Sequence, residues 1–300
     1  MKIFVTRKLP FWEEVSKPLI EAGHEIKFVK LENIDETCEG LLCLLTDKIT
    51  ETVLAKVPKL KIIANYAVGF DNIDLVACKN RNILVTNTPS EAVNESVAEF
   101  AWTLMLALSK RLGEASEFMR NAAYRGWEPE VFIGQNMAGK TLGVIGSGRI
   151  GGIVAKKGEG WGMKVLAYSR SSGLNLEEVL AESDYISLHV PLTPETTHLI
   201  NGKTLGLLKK GAILVNTARG GIVDEEEIAE ALRAGILGGY GADVFENEPN
   251  PYPELLQMEN VILTPHIASA TKLARIDMGK IAVKNLIEGL AGRTPPNLVE

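Results

Sequence analysis

Residues Thr141-Leu142-Gly143-Val144-Ile145 form an apolar run that passes without a spacer into Gly146-Ser147-Gly148-Arg149-Ile150-Gly151, and a helical pattern with Ile153, Val154 and Ala155 follows. A strand, a G-x-G-x-x-G turn and a helix in this order commit the chain to a β-α-β unit. Gly146 suits the tight turn, Gly148 lets the backbone approach a pyrophosphate, and Gly151 lets the helix pack closely on the strand. The helix start supplies unpaired N–H donors, so Gly146, Ser147, Gly148, Arg149, Ile150 and Gly151 read as a dinucleotide phosphate loop.

The same alternation extends over the whole chain. Short β-branched runs at residues 2–6, 25–30, 41–45, 61–64 and 83–87 are interleaved with helical patterns, among them 12–22. A second series at 141–145, 164–169, 184–190, 212–216, 239–244 and 261–264 does the same. Parallel neighbours need a crossover long enough to hold a helix, so both series predict parallel sheets. Three hundred residues exceed one ordinary core. The expectation is an α/β protein with two doubly wound parallel-sheet (Rossmann/flavodoxin-like) domains and an interdomain cleft. Residues 1–93 plus 276–300 form the substrate-binding domain, and residues 94–275 the inserted dinucleotide-binding domain. One long helix is predicted over 94–121, apolar nearly all round in its first half, as a helix covered on several sides must be. Within the phosphate helix, Gly158 and Gly160 each cost about 1 kcal/mol relative to Ala and are expected to shorten it.

With 32 Lys plus Arg against 38 Asp plus Glu, the formal net charge is -6. A nonspecific grip on nucleic acid or an anionic membrane surface lacks its electrostatic footprint. Three cysteines, Cys38, Cys43 and Cys78, fit neither a disulfide framework nor paired metal-knuckle spacing and read as free buried thiols. The apolar stretch at the amino terminus is too short for a signal-peptide core, and the most apolar segment, 97–108, is too short for a membrane span. A cytoplasmic location follows as an expectation.

A site preferring NAD places a carboxylate at the end of the second strand to accept from the ribose 2′-OH. Here that strand ends Tyr168-Ser169-Arg170-Ser171. Ser169, Arg170 and Ser171 suit a 2′-phosphate, because Arg offers planar, charge-assisted donors. NADP(H) is the expected coenzyme, with NAD(H) as the alternative.

Three later segments each place a polar residue just after a strand, where open α/β sheets bind ligands. They are 216–221 with Arg219, 243–249 with Glu248, and 264–269 with His266. Arg219, Glu248 and His266 make a coherent set of cation, carboxylate and imidazole, and a carboxylate beside an imidazole stabilises its charged form. His24, His189 and His198 have no matching acid in the sequence, and no metal site is expected.

The chain resembles the D-isomer-specific 2-hydroxyacid dehydrogenases. The resemblance covers essentially the whole chain and includes Gly69-Phe70-Asp71-Asn72-Ile73-Asp74, the glycine loop, His189-Val190-Pro191-Leu192-Thr193 and the three segments above. Ala64-Asn65-Tyr66-Ala67-Val68-Gly69, Tyr168-Ser169-Arg170 and the loop from Trp127 to Gly134 are most similar to the archaeal-type glyoxylate reductases. The resemblance implies His266 as proton donor, Glu248 as its partner, and Arg219 on the carbonyl and carboxylate of a 2-oxo acid. It also implies that Val68 and Gly69 offer N–H groups to the substrate carboxylate, with Leu45 lining the same pocket. Asp243, Thr217 and Ala218 are implied on the nicotinamide side, and His189, Val190, Pro191, His266 and Ala268 along the cofactor.

The activity so implied is NADPH-dependent reduction of glyoxylate or hydroxypyruvate to glycolate or D-glycerate, by a homodimer. Other readings are a D-3-phosphoglycerate or D-lactate dehydrogenase, and a dinucleotide-sensing interaction protein of the same fold.

Overall fold

A computed structural model describes residues 1–299. The chain divides into two compact units, Met1–Val93 with Ala270–Glu300, and Asn94–Ser269.

The first unit is built on strands β1 (Lys2–Val5), β2 (Glu25–Phe28), β3 (Gly40–Leu44), β4 (Ile62–Tyr66) and β5 (Leu84–Thr86). They form one parallel sheet in the order β2-β1-β3-β4-β5. The inner strands β3 and β4 are buried along nearly their whole length and, apart from Asn65 on β4, largely apolar, as a sheet covered on both sides requires, whereas the edge strand β2 is mostly exposed. Phe4, Leu41, Ile49, Leu54 and Ile63 pack one face, together with the free thiols of Cys38, Cys43 and Cys78. Burial pushes the Cys38 thiol up to about 12 and the Cys78 thiol up to about 11, so neither is a ready nucleophile.

The helix Lys272–Leu290 covers β3 and β4, entered through Thr271, whose hydroxyl accepts from the Ala274 N–H. Because this whole helix packs inside the first unit, the second junction between the units falls between Ser269 and Ala270, ahead of the 275/276 boundary expected from sequence. The helix predicted over 12–22 is two short ones, Trp12–Val15 and Lys17–Glu21. Pro18 has no N–H for the carbonyl four residues back, and its ring crowds that turn.

The second unit carries β6 (Thr141–Ile145), β7 (Lys164–Tyr168), β8 (Tyr185–Leu188), β9 (Ala212–Asn216), β10 (Leu237–Ala242) and β11 (Val261–Leu263). All pair in parallel, in the order β11-β10-β9-β8-β6-β7. The order reverses between β6 and β8, which is where a doubly wound sheet opens a crevice at its carboxyl edge. β7 is an edge strand, and after it residues 169–172 close a turn, Ser172 N–H to Ser169 C=O at 3.0 Å, that leads into the helix Leu176–Glu182.

The predicted helix 94–121 is also two, Glu91–Ser109 and Leu112–Arg120. Nothing in the local sequence stops it at Ser109. The stop is tertiary: the Ser109 carbonyl accepts from the Gln135 N–H at 2.8 Å, and Arg111 turns left-handed at φ 53°. The phosphate helix, by contrast, keeps its full course, Arg149–Gly160. Its Gly158 is there for packing, since a Cβ would stand 2.8 Å from Leu142 Cδ2 and 3.2 Å from Val165 Cγ2. Close approach of helix to sheet outweighs the loss of intrinsic propensity.

Candidate active site

Every strand of the second sheet runs the same way, so the segments following β6 to β11 gather along one edge. After β6, Gly146 takes φ 103° and lies so close to the next loop that a Cβ would meet the His189 carbonyl carbon at 2.6 Å. A Cβ on Gly151 would fall 1.9 Å from the Gly146 oxygen, whereas one on Gly148 would meet nothing within 4 Å. The loop is thus locked at its two ends and open in the middle, where a phosphate approaches.

After β7, the Ser169 and Ser171 hydroxyls stand 3.4 Å apart, and the largely exposed Arg170 guanidinium lies 3.7 Å from the Glu195 carboxylate. After β8, His189 Nε2 meets the Ser187 hydroxyl at 2.8 Å, and burial lowers the imidazole to about 4, so it is neutral at ordinary pH. Val190 and Pro191 continue this loop, with the Thr196 hydroxyl donating to the Pro191 carbonyl at 2.6 Å.

After β9, the fully buried Asn216 shapes the turn. Its Oδ1 accepts from the Ala218 N–H at 3.0 Å and its Nδ2 donates to the Arg219 carbonyl at 2.8 Å, which sets the backbone from which the Arg219 side chain springs. Thr217 Oγ1 is buried and has no partner among the described residues. A polar atom left so is costly unless a ligand satisfies it.

After β10 and β11 come the acid and base. His266 Nδ1 lies 3.1 Å from both Oε1 and Oε2 of Glu248. Burial works to raise the Glu248 carboxyl, but the His266 hydrogen bond and charge, the Phe245 N–H and the Arg219 charge outweigh it and hold the group below its ordinary range. The fully buried Asp243 anchors the loop that carries His266: Oδ1 accepts from the Thr264 hydroxyl at 2.7 Å and the Ile267 N–H at 2.8 Å, and Oδ2 from the Ala268 N–H at 2.6 Å. Asp243, expected at a nicotinamide carboxamide, thus fixes the backbone around His266 with three accepted bonds, two on Oδ1 and one on Oδ2.

His198 departs from its sequence reading. It does have a matching acid: Nε2 lies 2.7 Å from Glu246, with Asp224 3.8 Å from Nδ1. Glu246 lies in the loop after β10 and Asp224 caps the helix Glu225–Arg233, so spacing along the chain conceals them. Among the described residues no group of three His, Cys, Asp or Glu side chains is arranged to hold a metal ion, and no helix is long and apolar enough to cross a membrane.

In the first unit, Leu45 follows β3, and Val68 and Gly69 follow β4. A network of asparagines, which sequence reasoning missed, shapes both turns. Asn65 donates to the Gly69 carbonyl at 2.9 Å and to Asn72 Oδ1 at 3.0 Å, Asn72 to the carbonyls of Leu44 and Asp47, and Asn87 to the Val68 carbonyl at 2.7 Å. Asn65 amid the apolar Ile62-Ile63-Ala64 was the available signal. The Val68 and Gly69 carbonyls are thus occupied, while among the described residues no acceptor pairs with either N–H.

Residues 102–268 match the family model described as D-isomer specific 2-hydroxyacid dehydrogenase, NAD binding domain. The chain belongs to the D-isomer specific 2-hydroxyacid dehydrogenases. Among curated relatives, the glyoxylate reductase of Thermococcus litoralis is 44% identical over 99% of this chain and 96% of its own. A crystal structure of a protein from Thermus thermophilus superposes with a TM-score of 0.94 at 40% identity, covering both chains completely. A D-lactate dehydrogenase from Aquifex aeolicus, solved with NAD and lactic acid, reaches 0.86 at 34% identity over 100% of this chain and 99% of that one. The expected resemblance to archaeal glyoxylate reductases holds over nearly the whole chain of this dehydrogenase. A nicotinamide cofactor belongs to the family domain, and the residues present fit one: a glycine cradle open at Gly148 and an unpartnered hydroxyl at Thr217.

Proposed function

We propose that the protein reduces glyoxylate or hydroxypyruvate with NADPH, giving glycolate or D-glycerate. The observation that carries this reading is the two-oxygen contact of Glu248 with His266 Nδ1, on the same sheet edge as the glycine cradle. With Nδ1 turned to Glu248, Nε2 is the nitrogen left to give a proton to the carbonyl oxygen, and an ionised Glu248 stabilises the imidazolium before that transfer. Arg219 supplies a fixed cation for the carboxylate and for the charge growing on the carbonyl oxygen. Asn216 and Asp243 set the backbones beneath Arg219 and His266. When bound, the reduced nicotinamide supplies the hydride. Gly146, Ser147, Gly148, Arg149, Ile150 and Gly151 would hold its pyrophosphate. Thr217 and Ala218 would lie on its nicotinamide side, His189, Val190, Pro191 and Ala268 along it, and Ser169, Arg170 and Ser171 at a 2′-phosphate.

In the first unit, the N–H groups of Val68 and Gly69 are the proposed anchor for a substrate carboxylate, with Leu45 as the apolar wall that favours small 2-oxo acids. The chain is proposed to act in the cytoplasm as a homodimer, which sedimentation as a monomer at micromolar concentration would exclude.

The test follows reduced-nicotinamide absorbance with glyoxylate, hydroxypyruvate, pyruvate and phosphohydroxypyruvate under both coenzymes. The expected result is the highest kcat/KM for one of the first two with NADPH. Preference for pyruvate or phosphohydroxypyruvate overturns the substrate assignment, equal efficiency with NADH overturns the coenzyme assignment, and tight NADPH binding without turnover turns the protein into a sensor.

A further inference from the structure

Glu225 is the first residue of the helix Glu225–Arg233 and, for a carboxylate, is unusually buried, with 4% of its surface exposed. A carboxylate so placed is costly unless hydrogen-bonded. Its two oxygens are used on one loop: Oε1 accepts from the Glu246 N–H at 3.1 Å and Oε2 from the Tyr252 N–H at 2.8 Å. The two donors bracket the turn of residues 246–252, which carries Glu248. Two further contacts hold the same turn. His198 meets the Glu246 side chain, and Gly220 lies so close that a Cβ would stand 1.8 Å from the Phe245 carbonyl carbon. Gly220 and Glu225 both follow Arg219 within a few residues, so one short segment carries the cation and grips the loop bearing the carboxylate.

We propose that Glu225 is a positioning residue for the acid–base pair, clamping the 246–252 turn so that Glu248 stays against His266 Nδ1. A turn without this clamp keeps the His198 contact and the Asn250 N–H bond to the Asn247 carbonyl but loses the two bonds that tie its two ends to one buried group. The glycine cradle lies at the ends of β6 and β8 and is untouched. This inference rests on the proposed roles of His266 and Glu248.

The test uses Glu225→Gln, which puts an N–H donor against one of the two backbone donors, and Glu225→Asp, which keeps the charge but is one methylene short of spanning both. Each is compared with Glu248→Gln, with the double variants, and with His266→Ala. The expected result is a fall in kcat for 2-oxo acid reduction of tenfold or more, with the Kd for reduced nicotinamide dinucleotide within twofold of the parent. The pH dependence of kcat should shift in the same direction as in Glu248→Gln. A double variant should lose little beyond Glu248→Gln alone, because coupled residues are not additive. Additive losses, or an unchanged pH profile in whichever single variant folds, overturn the proposal. If His266→Ala stays active, the underlying functional reading fails instead. If His266→Ala and Glu248→Gln are inactive while both Glu225 variants are not, only the clamp fails.

Discussion

His266 adopts a left-handed backbone, φ 54°, and presents Nδ1 at 3.1 Å to each carboxylate oxygen of Glu248. A non-glycine residue in this region costs of order 1 kcal/mol and persists where its surroundings hold it. Here the hold is Asp243, which bonds the two N–H groups that follow His266. His266→Ala should therefore fold and bind dinucleotide normally while kcat for reduction falls by about 10²–10⁴. Retention of a tenth or more of the parent rate would remove the proton-donor role.

Glu248 gives the pH dependence its sign. Burial alone would raise its carboxyl, but the His266 contact and the Arg219 charge bring it below the ordinary value, so it stays ionised as pH falls to about 5. Its contribution to stability is present above that ordinary value and is lost as pH falls through the depressed one. The reduction rate should accordingly show no fall between pH 7 and 5 that Glu248→Gln abolishes, a comparison made by kcat profiles of the two proteins.

His189 acts on stability in the acid range. Neutral in the fold down to about 4, its imidazole protonates near 6.5 once unfolded, so the unfolded chain binds more protons between these values and stability falls as pH drops. At pH 5 the loss is at most about 2 kcal/mol relative to pH 7, since the ring keeps some solvent contact. Denaturant midpoints at the two pH values measure it, and His189→Gln should reduce the difference.

The exposed pair of Arg170 and Glu195, at 3.7 Å, bears on coenzyme choice. Such a pair is worth little by itself, but the same guanidinium is proposed to meet a 2′-phosphate. Arg170→Ala should raise KM for NADPH about tenfold and leave NADH within twofold, and Glu195→Gln should lower KM for NADPH by about twofold. Ser169→Asp should move the preference toward NADH. Parallel changes for both coenzymes in initial-rate kinetics would refute the assignment.

The phosphate loop separates fold from binding. Gly151→Ala puts a methyl 1.9 Å from the Gly146 oxygen and should destabilise the protein by about 3 kcal/mol, whereas Gly148→Ala meets nothing within 4 Å. Gly148→Ala should thus melt within about a degree of the parent yet weaken dinucleotide binding tenfold or more, read by calorimetry and by fluorescence titration. Unchanged affinity in Gly148→Ala would remove the loop from the cofactor site.

What the amino-acid sequence determined by itself is local. The alternation of strand and helix patterns, the glycine loop directly after β6, and Arg219, Glu248 and His266 just beyond strand ends all depend on residues near one another in the chain, so period and turn chemistry disclose them. Decisions taken by contacts between distant segments needed the tertiary structure. The helix after Glu91 ends at Ser109 because Gln135 takes its carbonyl, Gly158 is tolerated because Leu142 and Val165 press on it, and His198 finds its acid in Glu246. Glu225 reads in the sequence as one more acidic residue at a helix start. Only the crossovers of a parallel sheet bring it under the turn that carries Glu248, and there burial leaves its two oxygens no partners except that turn's own N–H groups.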